Sequence, residues 1–251
     1  MAFGTDRQVF TSTRVDQAQF DAGLRAHMLR VYNYMASGLA LTGIFAVVIA
    51  QMSVITNEAG QIVAWTPLGE TLFLSPLKWV VMLLPIGLVF FFAARIHALK
   101  QSTAQIVFWV FAALLGVSLA TVFIQFTGAS IARVFFITAG TFAGMSLWAY
   151  TTKKDLSGWG SFLFMGLIGI IIASIVNMFI GSSAMQFAIS VIGVLVFVGL
   201  TAYDTQKIKN QYAEHYDGET KGKLAIEGAL HLYLDFINLF IMLLHLFGAR
   251  R

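Results

Sequence analysis

The chain has no cysteine among its 251 residues. That excludes a disulfide framework, a thiolate metal site and a cysteine nucleophile. Charge is scarce as well: 11% of residues are charged against 58% hydrophobic, and mean hydropathy is +0.79. A soluble domain of this length cannot hide that much apolar surface in one core, so the composition points to a polytopic membrane protein. The first thirty residues lack the apolar run of a cleaved signal peptide, and the first span is expected to serve as its own uncleaved insertion signal. A basic cluster is missing too. The net charge of +4 and the pI near 9.4 come from Lys and Arg scattered through short loops, which argues against nucleic acid as a partner.

What is present is a series of apolar runs of about 20 residues. They predict an all-α membrane protein with seven transmembrane helices, at 31–53, 76–95, 105–126, 131–150, 160–180, 185–204 and 228–247. Residues 1–30 are expected to form a polar cytoplasmic N-terminal tail, and 31–248 the transmembrane domain. The loop from Ile55 to Ser75 has room for a short interfacial element, and Asn210 to Ile226 reads as a loop on the N-terminal side. Arg7, Arg14, Arg25, Arg30, Arg95, Lys100 and the lysines at 153, 154, 207, 209, 221 and 223 fall on one side, against Lys78 and Arg133 on the other. The positive-inside rule then predicts a cytoplasmic N-terminus. Arg250 and Arg251 fit only if the seventh segment is re-entrant, and the sequence leaves that open.

Two of the spans carry a carboxylate, Asp204 and Asp235. An ionisable group inside a membrane is expensive and therefore a functional-site candidate whose partner has to be found. Glu227, His231, Asp235, Asn238, Met242 and His245 are spaced four, four, three, four and three apart, on one stripe of a helix. Ser190, Gly193, Phe197, Thr201 and Asp204 form a comparable small and weakly polar face. These two faces are expected to meet inside the bundle, with the aspartates paired and His231, Asn238 and Thr201 as candidate pore-lining side chains. Asp204, close to Lys207 and Lys209, also fits a solvated acid at the membrane surface. Arg95 fits either headgroup snorkelling or a guanidinium that pairs with the carboxylates. His231 and His245 have no second His or Cys at ligand spacing within a turn, so they read as stripe residues rather than metal ligands. Gly140 and Gly144 form a G-x-x-x-G, read as a packing signal.

The segments YNYMASGLALTG (Tyr32 to Gly43), YTTKKDLSGWGSFLFMG (Tyr150 to Gly166), GLTAYDTQKIKNQY (Gly199 to Tyr212) and LHLYLDFINLFIMLLHLFG (Leu230 to Gly248) resemble the transmembrane Bax inhibitor motif family in its bacterial branch. The resemblance implies a seven-helix fold with the C-terminal helix central. It implies a pH-sensitive calcium leak of a bacterial inner (plasma) membrane, with Asp204, Asp235 and Arg95 as sensor and gate. Calcium would meet Asp204 and Asp235 only in transit, and no cofactor is expected. Two carboxylates held close in a low-dielectric site cannot both ionise cheaply, and exchanging a shared proton for an arginine contact would give two arrangements of similar energy. The alternative the resemblance offers is a regulator that binds a membrane-bound quality-control protease. An enzyme is not expected. An intramembrane aspartyl protease needs Gly-x-Gly-Asp, whereas Leu232, Tyr233 and Leu234 precede Asp235, and a retinal protein needs a lysine that the seventh span lacks.

Overall fold

The computed structural model describes residues 5–58 and 61–251, with side chains from residue 19 onward. Seven described helices are long and apolar enough to cross a membrane. They are α1 (Thr5–Ser53), α2 (Leu77–Arg95), α3 (Gln101–Gln125), α4 (Gly128–Thr151), α5 (Gly160–Ile180), α6 (Ser183–Gln211) and α7 (Gly218–Phe247). The expected interfacial element between α1 and α2 is a small antiparallel hairpin, β1 (Val54–Thr56) and β2 (Ile62–Trp65), followed by a helical turn over 67–74.

Local chemistry sets the helix ends. Thr127, Ser182 and Asp217 cap α4, α6 and α7 by accepting the backbone N–H of Ser130, Met185 and Thr220. Gly181, at φ 68°, ends α5 in the left-handed conformation that favours glycine. Hydrogen bonds from Thr220 hold the Asp217 carboxyl below the usual carboxylate range. Its contribution is therefore complete near neutral pH and is lost as acid protonates it.

Hydropathy underestimated three helices. The boundary expected at residue 30 falls inside the unbroken α1, whose Leu24, Met28 and Val31 are buried in the main core. The tail side chains before residue 19 lie outside the described residues. The loop expected over Asn210 to Ile226 shrinks to 212–217, because α6 runs on to Gln211 and α7 begins at Gly218. This extension of α7 is amphipathic: Gly222, Ala225 and Ile226 are buried while Lys221, Lys223 and Glu227 beside them stay partly accessible. A window average cancels such a pattern, whereas packing responds to it.

The C-terminal helix is central, as expected, and is the most buried span. It packs against α1, α3, α4 and α6, whereas α2 lies mainly on α3 and α5 mainly on α6. Tyr233, fully buried on α7, pairs its hydroxyl with Thr42 of α1 at 2.6 Å. Thr42 in turn donates to the Ala112 carbonyl of α3 at 2.8 Å. Phe108 and Phe111 meet the Tyr233 ring edge-on. One side chain thus ties three helices together, and in a membrane close fit of this kind substitutes for a hydrophobic driving force between helices. Outward side chains such as Phe90, Phe162 and Phe179 are exposed and apolar, as lipid-facing surfaces require.

The open question about the seventh segment resolves toward a complete crossing. Beyond α7, Ala249 and Arg251 hydrogen-bond to Thr127 and Gln125 at the α3–α4 junction, and Arg250 lies over the Phe126 ring. Both arginines therefore sit on the face opposite the start of α1, and no re-entrant segment is needed.

Pro85 interrupts α2 and leaves the Val81 carbonyl, one turn earlier, without its helical N–H donor. Ser118 of α3 donates its hydroxyl to that carbonyl. Ser118→Ala is expected to lower stability in detergent by about 1 kcal/mol, the net worth of a typical hydrogen bond. In a Pro85→Ala background, where residue 85 supplies its own N–H, the same change should cost almost nothing. Equal losses in both backgrounds would mean that Ser118 acts only through packing.

Candidate functional site

The two expected stripes meet. At one end of the α6–α7 interface Gln186 lies 3.4 Å from His245. Further along, α7 presses so close that a Cβ on Gly193 would fall 2.7 Å from the Met242 sulfur. Beyond that, the carboxyls of Asp204 and Asp235 come within hydrogen-bonding reach of each other. Asp204 is 9% and Asp235 5% exposed, and Asp235 Oδ2 has no hydrogen-bond partner among the described residues. A buried carboxyl oxygen left bare is costly unless a proton, water or cation completes it.

Both acids line a cleft of about 600 Å³ between α5, α6 and α7. His231 and Asn238 line it too. The Asn238 amide donates to the Leu234 carbonyl at 2.8 Å. Thr201 does not reach the cleft: it is wholly buried, and its hydroxyl donates to the Phe197 carbonyl of its own helix. Arg95 is not brought to the acids either. It is exposed at the end of α2, away from the cleft. The basic side chains that face Asp204 are His231 and Lys207.

Tyr203, Lys207 and Ser161 also line the cleft, and sequence reasoning did not single them out. Lys207 had a signal, since it lies one helical turn beyond Asp204, but it was counted as a membrane-surface charge. Tyr203 packs on Gly160, where a Cβ would fall 2.7 Å from its ring. Gln206 gives the Tyr-Asp-x-Gln segment its logic: it accepts the Leu156 N–H and donates to the Lys154 carbonyl, each at 2.7 Å. The α4–α5 connection is thereby fastened beside Asp204. Lys209 adds a 2.7 Å bond to the Tyr150 carbonyl.

Two carboxylates and one amide oxygen are few donors for calcium, which takes six to eight oxygens. Among the described residues no group of three or more His, Asp or Glu is placed to hold a metal.

The sequence pattern of the family described as "Inhibitor of apoptosis-promoting Bax1" matches residues 24–251. The chain belongs to this Bax inhibitor family. Bacterial members are similar along nearly their whole length. The Rickettsia prowazekii protein RP147 is 46% identical over 232 residues, 92% of this chain and 93% of that protein. The "Inner membrane protein YbhL" of Escherichia coli K12 is 45% identical over 233 residues, 92% of this chain and 94% of that protein. A Caulobacter vibrioides protein is 45% identical over 239 residues, 92% and 91% of the two chains. The Bax inhibitor family match and the seven apolar helices together make this a multi-pass membrane protein.

Proposed function

We propose that the protein is a proton-modulated calcium leak of a bacterial inner membrane, with Asp204 and Asp235 as sensor and gate and the N-terminus on the cytoplasmic side. The observation that carries this reading is the placement of two carboxyls against each other in a buried cleft, one of their oxygens bare. Two unit negative charges 4 Å apart repel by about 4 kcal/mol at an effective dielectric of 20. Sharing one proton removes that repulsion and supplies the missing hydrogen bond. Losing the proton leaves a dianion that must find a cation, either a passing calcium ion or the Arg95 guanidinium brought in by a movement of α2.

Calcium flux into vesicles containing the purified protein, measured across a pH series beside empty vesicles, tests the proposal. A protein-dependent flux that changes with pH is expected. No flux above empty vesicles at any pH would sink it and favour a regulator that binds a membrane protease, to be sought by co-purification with and without residues 1–28.

A further inference from the structure

Helices α1 and α4 both flank α7 but make no extensive contact with each other. Their direct tie is a 2.6 Å hydrogen bond between Tyr32 and Ser146, and Ser146 is held in turn by Thr205 at 2.8 Å. Between the two helices runs a groove of about 860 Å³, floored by Phe236 of α7. Ala36 and Gly43 on one wall and Ala143 on the other keep it clear. A Cβ built on Gly43 meets nothing within 4 Å.

The groove's shape narrows the choice of occupant. From Arg25 to Gly43 the α1 wall is about 27 Å long at 1.5 Å per residue, a long slot that an extended hydrocarbon chain can follow. Along it the Tyr32–Ser146 bond ties the two walls together, so a partner helix would have to break that bond to seat between them. The ends differ in chemistry. Beyond the Tyr32–Ser146 pair the lining is apolar; at the other end stand the Arg25 guanidinium and Tyr150, whose carbonyl and ring hold the Lys209 ammonium. An apolar channel that ends at the Arg25 guanidinium on one face of the bundle complements a lipid with an anionic headgroup.

We infer that the groove between α1 and α4 is a binding site for one acyl chain of an anionic phospholipid, with its phosphate at Arg25. The protein is reconstituted in vesicles of equal phosphatidylglycerol and phosphatidylcholine, extracted in mild detergent, and weighed by native mass spectrometry. One retained phosphatidylglycerol is expected, favoured over phosphatidylcholine by about fivefold for the contribution of one basic residue. Arg25→Gln should erase that preference while leaving a lipid bound. Gly43→Leu and Ala143→Leu should each remove the retained lipid of either kind. Equal retention of the two lipids by the wild type, or undiminished lipid in both groove-filling variants, would overturn the inference. Because Arg25 is exposed, the Arg25→Gln ratio decides the matter even if a groove variant fails to fold.

Discussion

Calcium flux through vesicles carrying Asp235→Asn is expected to be flat across the pH range over which the wild-type flux changes. Asparagine keeps the shape and neutral dipole of a protonated carboxyl but has no proton to release. The variant should therefore hold, at every pH, the flux that the wild type reaches at the acid end of the series. Repulsion of about 4 kcal/mol between two close carboxylates sets a ceiling of roughly a thousandfold on the bias a lost proton can apply. A wild-type swing of at least about tenfold corresponds to only about 1.4 kcal/mol of that ceiling. The variant should vary by less than about twofold, and Asp204→Asn should behave the same way, because the property belongs to the pair.

His231 is the rival sensor. It lines the same cleft, faces Asp204 and is itself ionisable. His231→Gln separates the two readings. With the carboxyl pair as sensor, this change displaces the pH profile without flattening it, since it removes only a neighbouring charge. A flat profile in His231→Gln beside an unaltered one in Asp235→Asn would move the sensor to the histidine. Lys207→Gln should likewise shift the profile and leave its amplitude.

The meeting of α6 and α7 was legible because two helical periodicities ran through polar or small residues in segments otherwise filled with Leu, Ile and Phe. On that ground Asp204 was paired with Asp235, whereas the contact of Gly193 with Met242 needed the structure. Thr201 lay on the same stripe yet turned its hydroxyl to its own backbone, since a hydroxyl one turn from a carbonyl needs no partner helix. Arg95 was out of reach of any periodicity argument: whether the end of α2 approaches the acids depends on the tilt of a helix that packs mainly on α3. The crossing of α7 was obscured because Arg250 and Arg251 lie on the face opposite the start of α1, held there by backbone bonds of Ala249 and Arg251 to the α3–α4 junction. Charge counting does not register such bonds.

Glycines show the same divide and lead to the second large effect. Gly140 and Gly144 form the most recognisable small-residue motif in the chain, yet a Cβ on either meets nothing within 4 Å, and both face outward. The packing expected of them is absent among the described residues. The close approach is instead at Gly116 of α3, in a stretch without a motif, where a Cβ would fall 2.6 Å from the Thr42 carbonyl oxygen and 2.7 Å from Phe45 Cβ on α1. Neither atom is the end of a flexible side chain, so Gly116→Val must push α1 and α3 apart. The separation would break the Thr42 bonds to Ala112 and Tyr233, both buried. Overpacking costs about 1–3 kcal/mol, and a buried hydrogen-bonding group left unpaired about 1–3 more. Gly116→Val is therefore expected to destabilise the protein in detergent by about 3 kcal/mol or more, seen as a large drop in melting temperature and in the folded yield. Gly140→Val should remain within about 0.5 kcal/mol of the wild type, as surface substitutions do. Thr42→Val should fall between them, at about 1–3 kcal/mol, since it leaves the buried Tyr233 hydroxyl without its partner but does not part the helices. Equal losses for Gly116→Val and Gly140→Val would show that the α1–α3 contact and its Tyr233–Thr42 tie do not hold the bundle around α7.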